Sequence, residues 1–217
     1  MSKRITYLER RDGMTPADFS SYWRGRHAPI AVDLPGVVCY RQNHVIPGSV
    51  AEGAAYAVDG IVELWFASDH DAQAGLTTDV SDRLIVDEPN FLAGLTGGPV
   101  DGPAPAAPAP AMLWVLARWR HKSPDRQVLE RLRTLRIPGT RGLSVNLLDQ
   151  SRPLLVRDAL RRMTTIPDLA ISAGFDTRDA AVAGRRTLQE SLAPLVGDLR
   201  DVQTMLSSTV SIVEAAR

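Results

Sequence analysis

Apolar and aromatic side chains recur at helical spacing from position 19 to position 30. Within FSSYWRGRHAPI they follow the i, i+3, i+4, i+7 series of one helix face, which predicts an amphipathic helix. The members of this face are Phe19, Tyr22, Trp23, Arg26, His27 and Ile30. Because Pro29 cannot donate to the carbonyl of residue 25, we expect the helix to kink or end around His27.

The rest of the first half alternates between apolar strands and capped helices. Thr15 and Ser68 each supply a hydroxyl N-cap, and a proline follows Thr15 at the first helical position. The predicted strands are 4–11, 34–43, 60–68 and a last one either near 93–102 or within the proline-rich segment that follows. The predicted order is therefore β-α-β-β-α-β.

The second half repeats this order at similar spacing. Ser123 and Pro124 form the same hydroxyl–proline cap, and in each half an asparagine, Asn43 or Asn146, follows a turn proline by eight residues. The predicted strands of this half are 112–121, 137–146, 168–176 and 202–213. Two β-α-β-β-α-β units predict two ferredoxin-like halves and an α+β fold class.

A segment rich in glycine, proline and alanine, GGPVDGPAPAAPAP, separates the halves. Its composition favours an extended spacer over a helix or a central strand. We therefore expect a first half at 1–96, a linker at 97–110 and a divergent second half at 111–217. Each half leaves one apolar sheet face bare, so we expect the two sheets to close one pseudo-dimeric barrel, with the linker outside as a strap.

Composition narrows the class of protein. The 217 residues are 44% hydrophobic and carry 25 basic and 25 acidic side chains, so charge gives no basis for binding nucleic acid or an anionic membrane. The single cysteine, Cys39, excludes an internal disulfide and a cysteine-built zinc site. The chain has no motif for a metal or a nucleotide, and we expect no cofactor. A charged start and short apolar runs predict a cytoplasmic protein.

Three stretches of the first half resemble the EthD family of dimeric α/β-barrel proteins. They are ITYLERRDGMTPADFSSYWRGRHAPIA, LPGVVCYRQNHV, and DGIVELWFAS followed by DEPNF, together covering roughly residues 4–92. The second half is similar only through the internal repeat. That family includes a muconolactone-isomerising enzyme and proteins similar to polyketide dehydratases, and it takes its name from an ether-degrading monooxygenase system. The resemblance implies that His27 faces the barrel cavity as an acid–base group.

The residues themselves are consistent with this role, since a histidine titrates near neutral pH. They are also consistent with a structural histidine whose ring is satisfied by the backbone in the core. Side chains on neighbouring strands extend the predicted site, because alternate residues of a strand share one face. We expect catalytic roles for His27, Glu63 and Tyr40. The predicted substrate-binding residues are Trp23, Arg24, Gln42, Asn43, His44 and Trp65. The predicted pocket lies in the first half and is bounded by Trp23, His27, Tyr40, Glu63 and Trp65.

Structural roles compete with these assignments. Only one face of the strand that carries Tyr40 can meet a cavity, and Cys39, Arg41 and Asn43 lie on the face opposite to Tyr40, Gln42 and His44. The tyrosine set is equally consistent with a solvent-facing position, with Asn43 in a turn. Glu63 is equally consistent with an exposed strand position. The pair at 87–88 is interpreted as the end of a helix, and the arginine-rich stretch 157–163 as a solvated face.

The second half lacks the candidate site. Its cap and its Pro-Gly turn lie five residues closer together than those of the first half, and the missing piece corresponds to RHAPI. ERLRTLRIPG contains no histidine. We therefore expect one site per chain, with the second half as a wall of the barrel.

Several functions fit these observations. The main hypothesis is a cofactor-free lyase, such as a dehydratase, or an isomerase that acts on an aromatic, lactone or polyketide-like small molecule with His27 as the acid–base group. The alternatives are a cofactor-free oxygenase and a small-molecule-binding barrel without turnover; a haem-binding barrel has less support. We expect a monomeric pseudo-dimer or a homodimer.

Overall fold

Eight strands and six helices occur in a computed structural model that describes residues 1–121, 126–152, 154–161 and 163–215. Their order is the predicted one, except that each of the two helices predicted in the first half is divided in two. The strands are β1 (Ser2–Arg10), β2 (Val37–Val45), β3 (Gly60–Phe66), β4 (Leu92–Asp101), β5 (Ala111–Trp119), β6 (Gly142–Leu148), β7 (Leu169–Phe175) and β8 (Leu199–Val213). The helices are α1 (Pro16–Tyr22), α2 (Ala28–Ala31), α3 (Asp69–Ala74), α4 (Asp79–Asp87), α5 (Arg126–Arg133) and α6 (Arg178–Leu192). A π-helical turn, Trp23–His27, joins α1 to α2.

Hydroxyl side chains begin several helices, as the sequence predicts. Thr15 Oγ1 and Ser68 Oγ each accept the backbone N–H three residues later over 3.1 Å. Thr177 caps α6 in the same way. The predicted cap at 123–124 lies outside the described residues.

Both halves have the same strand order, and together they close a barrel. The first sheet runs β4-β1-β3-β2 and the second runs β8-β5-β7-β6. Antiparallel pairing of β2 with β8 and of β4 with β6 joins them. The expected α+β barrel of two ferredoxin-like halves within one chain is confirmed.

The repeated asparagines have equivalent roles inside the barrel. Asn43 Nδ2 donates to the carbonyl of Ile61 over 3.2 Å, and Asn146 Nδ2 donates to the carbonyl of Ala170 over 3.0 Å. Both amides are buried and cross from the second strand of their half to the third. Their repetition in the sequence therefore corresponds to a repeated contact.

A buried ion pair lies among apolar side chains in the barrel interior. Lys3 Nζ donates to Glu63 Oε1 over 2.8 Å and to Asn146 Oδ1 over 2.7 Å. Lys3 and Glu63 are each only 4% exposed. The surrounding core includes Ile5, Tyr7, Ile61, Trp114, Leu116 and Met205. Since Asn146 belongs to the second half, this network connects the two sheets through the centre of the molecule.

The linker is shorter than the sequence predicts. Strand β4 extends to Asp101, so residues 97–100 pair with β1, Asp101 pairs with β6, and only 102–110 run without helix or strand. Proline is tolerated in β4 because this strand pairs with β6 only at its last two residues. The rest of the segment crosses one end of the barrel, where Trp65 Nε1 donates to the carbonyl of Pro103 over 3.1 Å.

Glycine is required at position 97 by the close approach of β4 to β1. Gly97 has a φ of +149°, and a Cβ there would lie 2.7 Å from Thr6 Cα and would also overlap the carbonyl of Ile5. We expect Gly97→Ala to lower the free energy of unfolding by about 1–3 kcal/mol in urea denaturation. Gly98→Ala is the matched control, because its Cβ would make ordinary contact with Leu154. Equal stability of the two variants would contradict this explanation.

Long loops between the second and third strands cross from each half to the other. In the loop 46–59, Tyr56 N–H donates to Gln203 Oε1 on β8 over 2.9 Å. In the described part of the loop 149–168, Leu155 N–H donates to a carbonyl of β4 over 2.8 Å. Each half therefore covers part of the other.

Candidate active site

A cavity of about 100 Å³ lies between the outer face of the first sheet and helices α2, α3 and α4. Much of its wall is aliphatic, including Leu8, Val62, Leu84, Leu92 and Leu95. The polar side chains that reach it are Arg4, Thr6, His27, Tyr40, Ser81, Glu88 and Arg157. An apolar cavity of about 150 Å³ can hold one benzene ring. This cavity is smaller, so a single-ring molecule fits only when the wall moves outward, and nothing larger is expected.

His27 meets this cavity from the π-helical turn and is joined to Asp87 at the end of α4. The distance from His27 Nδ1 to Asp87 Oδ2 is 2.9 Å, and His27 is 9% exposed. An ionised carboxylate can only accept, so Nδ1 carries the ring hydrogen and Nε2 of the neutral ring has a lone pair. No hydrogen bond reaches Nε2 from the residues that the structure describes. This nitrogen is available to a molecule in the cavity.

Hydrogen bonds keep Asp87 ionised. Burial by itself would raise the pKa of this carboxyl, but the bonds from His27 and Tyr22 outweigh burial and lower the pKa below its usual value. The Tyr22 hydroxyl donates to Asp87 Oδ1 over 2.7 Å. The carboxylate therefore fixes the orientation of the imidazole and stabilises the imidazolium that forms when Nε2 takes a proton.

Pro29 and Gln42 account for the π-helical turn that carries His27. Pro29 has no N–H, and the N–H of Ala28 donates to the carbonyl of Trp23, five residues earlier instead of four. Gln42 Nε2 donates to the same carbonyl over 3.1 Å. The predicted interruption of the helix is therefore a widened turn, after which α2 continues.

Tyr40, from β2, supplies a second polar group to the cavity. Its hydroxyl oxygen accepts from Trp23 Nε1 over 3.2 Å and from Gln42 Nε2 over 2.9 Å. Burial raises the pKa of Tyr40 to about 12, although these two donors oppose the effect. The phenol therefore keeps its proton at neutral pH, and among the described residues this hydrogen has no acceptor. Tyr40 can donate it to a bound molecule.

His44 packs behind Tyr40 and away from the cavity. Gln42 directs its amide nitrogen to Tyr40 and Trp23, so its Oε1 accepts from His44 Nε2 over 3.2 Å. His44 Nδ1 is then an acceptor for the hydroxyl of Ser20 over 3.0 Å. In the neutral ring both nitrogens are therefore satisfied.

Stability should fall in mild acid because of His44. Burial, with Arg24 adding a smaller effect, lowers the pKa of His44 from 6.5 to about 4. As the pH falls below about 6.5 the unfolded chain takes up a proton at this position, and the folded chain does so only near 4. We expect this residue to remove about 3 kcal/mol of stability across that interval, measured by urea denaturation at a series of pH values.

A histidine-to-glutamine control isolates this effect. His44→Gln should show a flatter dependence of stability on pH between about 6.5 and 4. His70→Gln, which replaces an exposed histidine on α3, should leave the wild-type dependence unchanged. A His44→Gln curve parallel to that of the wild type would show that His44 is not the group responsible.

Glu88, next to Asp87, pairs with an arginine from the second half. Arg157 Nε and Nη2 donate to the two carboxylate oxygens of Glu88 over 2.5 and 3.2 Å. Burial raises the pKa of Glu88, and Arg157 opposes the shift. Arg157 and Leu155 belong to the loop 149–168 and line the cavity. The cavity is therefore completed by the second half, and the expectation of a pocket built by the first half alone is corrected.

The structure divides the sequence-predicted site residues between two faces of the first sheet. His27 and Tyr40 line the cavity, whereas Trp23, Gln42 and His44 pack behind Tyr40. The residues on the opposite, barrel-facing side are Asn43, Glu63 and Trp65. Arg24 is exposed on the π-helical turn. The predicted grouping around one pocket does not hold, because the cavity lies between sheet and helices and the side chains of a strand alternate between faces.

Sequence reasoning missed four charged residues of the cavity region, and one of them, Arg4, was given no role at all. Asp87 and Glu88 were assigned to a helix end, and Arg157 to a solvated face. The DEPNF stretch, already part of the family resemblance, was the available signal for the two carboxylates. The sequence gives no comparable signal for Arg157, since its contact with Glu88 depends on a loop that crosses between halves.

The corresponding space of the second half is filled by apolar side chains. Leu113, Leu132, Leu169, Phe175 and Leu188 pack there with essentially no exposure. Gly184 lies so close to Phe175 that an added Cβ would be 2.5 Å from the ring. The space between the sheet and the helices therefore forms a cavity in the first half and is filled by side chains in the second.

The residues that the structure describes hold neither a metal-binding cluster nor a membrane-spanning helix. Among them, no three histidine, cysteine, aspartate or glutamate side chains come together as a possible metal site. No helix within those residues has both the length and the apolar character needed to cross a membrane.

Comparison with known proteins finds a similarity that covers most of the first half. Residues 11–94 match the family model of the EthD domain. The resemblance that the sequence indicated is confirmed over this part of the chain. No curated protein matches the sequence.

Solved structures similar to this chain extend over both halves. A candidate monooxygenase from Fusobacterium nucleatum subsp. nucleatum has a TM-score of 0.62 and 8% identity, covering 100% of this chain and 95% of that chain. An anthrone oxidase-like protein has a TM-score of 0.63 and 11% identity, covering 100% and 96%. A candidate monooxygenase from Lactobacillus acidophilus NCFM has a TM-score of 0.58 and 11% identity, covering 100% and 97%. At these identities the likeness shows the fold alone.

Proposed function

From the premise that residues 11–94 form an EthD domain, we propose that this protein is a cofactor-free enzyme that removes a proton from a small enolisable or phenolic molecule. His27 is the base, Asp87 orients it, and the product of the first step is an enolate or phenolate in an apolar cavity. The observation that carries the proposal is the 2.9 Å contact from His27 Nδ1 to Asp87, which leaves Nε2 as a free acceptor at the cavity wall.

The surroundings of His27 suit proton transfer. The carboxylate of Asp87 holds the imidazole in one orientation and stabilises the imidazolium that forms when Nε2 takes a proton. The aliphatic wall limits the access of water, which strengthens the electrostatic interactions inside the cavity. Tyr40 is a neutral hydrogen-bond donor in the same cavity and can stabilise the developing oxyanion.

Reaction with oxygen is the outcome that we favour for this anion. An electron-rich carbanion can transfer electrons to O₂ and form a C–O bond, and a proton then gives the hydroperoxide. Loss of water from a hydroperoxide that retains a C–H bond leaves a carbonyl group, so one CH₂ and one O₂ become one C=O and one H₂O. The names of three fold neighbours refer to monooxygenases or an anthrone oxidase and are consistent with this outcome, although their identities to this chain are only 8–11%.

A lyase or isomerase outcome remains the second candidate because of Tyr40. Burial keeps the pKa of this phenol at about 12, so the cavity holds a proton donor as well as a base. An acid and a base that face one substrate can move a proton between two carbons or expel a hydroxyl group. In that case the reaction proceeds without O₂.

Deuterium exchange tests the first step without knowledge of the final product. The purified full-length protein is incubated in D₂O without oxygen with a panel of single-ring β-dicarbonyl compounds, lactones and phenols, and isotope uptake at carbon is followed by NMR. We expect catalysed uptake in at least one compound. Oxygen consumption after admission of air then separates the oxygenase from the lyase or isomerase. Binding of panel compounds without exchange would support a binding barrel and overturn the enzymatic proposal.

A further inference from the structure

Arg4 is a cavity-lining cation whose charge is not balanced. It lies on the outer face of β1, where Thr6 and Leu8 also line the cavity. Its guanidinium lies over the ring of Phe66, with Cζ 5.9 Å from the ring centre. Within the described residues Arg4 makes no salt bridge and donates no side-chain hydrogen bond, and its Nε is buried without a partner.

The other charged groups at the cavity wall are paired, which makes Arg4 distinct. His27 contacts Asp87, and Glu88 binds Arg157. Just outside the cavity, Arg152 binds Asp69 over 2.8 Å through one amino group. Desolvated donors without acceptors are costly, and a guanidinium presents five donors in a rigid fork. We therefore expect a ligand in the cavity to supply the hydrogen-bond acceptor that Arg4 lacks.

A second arginine increases the positive charge at the same place. Nη2 of Arg152 is also buried without a partner, although its Nη1 binds Asp69. Burial lowers the pKa of Arg4, the nearby charge of Arg152 lowers it further, and Asp69 opposes them only in part. An anion beside Arg4 would offset both the desolvation and the repulsion.

The equivalent position in the second half supports a ligand-related role for Arg4. Strand pairing places Arg4 opposite Leu64, and the same register in the second half places Leu113 opposite Ala173. Leu113 is completely buried in the apolar core that fills this half. The fold therefore accepts leucine at this position where there is no cavity, and arginine occurs where there is one.

We propose that Arg4 binds a carboxylate group of the substrate, so that the molecule which His27 deprotonates is a small aromatic or enolisable acid. The planar guanidinium fork matches the two oxygens of a carboxylate. The ring of the substrate then occupies the aliphatic part of the cavity that Arg4 shares with His27. The identification of this acid as a substrate rests on the proposed function, whereas its binding does not.

Calorimetric titration with a matched pair of compounds tests whether Arg4 binds a carboxylate. We call this contact the carboxylate anchor. The probes are 4-hydroxybenzoate and its neutral amide, 4-hydroxybenzamide, at millimolar concentrations with the full-length protein. We expect the wild type to bind the acid about 10-fold or more tightly than the amide, since hydrogen bonds to charged groups exceed neutral ones by this order. Arg4→Gln should lose this preference with little change for the amide. Arg178→Gln, which removes an exposed charge on α6, should retain it.

The controls separate this inference from the proposed reaction. If the wild type binds both compounds equally, or binds neither, the carboxylate anchor is wrong, and no variant is needed to show it. An Arg4→Gln variant that still prefers the acid would also contradict the anchor. If Arg4→Gln does not fold, Arg4→Lys replaces it and should weaken the preference because its ammonium lacks the planar fork. His27→Gln should still prefer the acid if the anchor is correct, even if the deuterium exchange assay shows no catalysis. Exchange with neutral compounds alone would support the reaction and contradict the anchor.

Discussion

His27→Gln should lower the rate of catalysed deuterium exchange by about 10²- to 10⁴-fold while the protein stays folded. General acid–base groups contribute rate factors of this size, and glutamine cannot accept a proton at neutral pH. Glutamine is close to histidine in size and retains a donor for the carboxylate of Asp87, so the packing against Phe91 should change little. The measurement is the exchange rate per folded molecule, with the folded fraction taken from circular dichroism.

Two further variants define what the result means. His70→Gln makes the same substitution at an exposed position on α3 and should exchange at the wild-type rate. Asp87→Asn should also lose activity, because an amide can donate to Nδ1 and so move the ring hydrogen onto Nε2, where the base is needed. Exchange by His27→Gln at the wild-type rate would remove His27 from the mechanism. Unfolding of this variant together with retained exchange in its folded fraction would make the histidine structural.

Glu63→Gln should destabilise the protein by about 3–5 kcal/mol, because it leaves the ammonium of Lys3 buried without a counter-charge. Lys3 is 4% exposed and would retain only its bond to Asn146 and neutral contacts. The change in the free energy of unfolding is measured by urea denaturation at neutral pH. The same variant should exchange deuterium at the wild-type rate per folded molecule, since Glu63 faces the barrel interior and is not part of the cavity wall.

An exposed ion pair and a double substitution provide the controls. Glu190→Gln disrupts the pair with Arg186 on the surface of α6, which should cost less than about 1 kcal/mol. Combining Glu63→Gln with Lys3→Met removes both buried charges and should recover much of the loss. A Glu63→Gln variant as stable as the wild type would show that the buried pair contributes little. Loss of exchange in its folded fraction would restore Glu63 to the catalytic residues.

The positions of helices and strands were predictable because they depend on local patterns. Hydroxyl caps such as Thr15, the turn prolines and the apolar runs indicate element ends within a few residues. The order of elements then limits the topology to few choices, and the bare sheet faces imply closure. The last strand of the first half was predicted at either of two places, and β4 corresponds to the one near 93–102. Residues 97–101 have a loop-like composition, and their place in a strand depends on the close approach of Gly97 to β1.

The candidate site was less predictable because it depends on which face of the first sheet borders the cavity. The pattern of strand β3 correctly separates Val62 from Glu63, but nothing in it says whether the cavity lies inside the barrel or beneath the helices. His27 was identifiable from its unusual place on a helix face. Asp87, its partner, is 60 residues away in sequence, and such contacts follow from the packing of α4 against the π-helical turn rather than from any local pattern.

The loop 149–168 has a consequence for how the specificity of such a protein can change. In an assembly of two identical subunits every substitution appears twice, so the residues that perform chemistry and those that shape the opposite wall must be compatible within one sequence. Here Arg157 and Leu155 belong to a different half from His27, so a substitution in one half is not repeated in the other. A mutation in the loop alters the charge or shape of one wall and leaves the acid–base pair untouched. When two halves are joined in one chain, the residues that select the substrate can therefore change in one half while the acid–base residues of the other half stay the same.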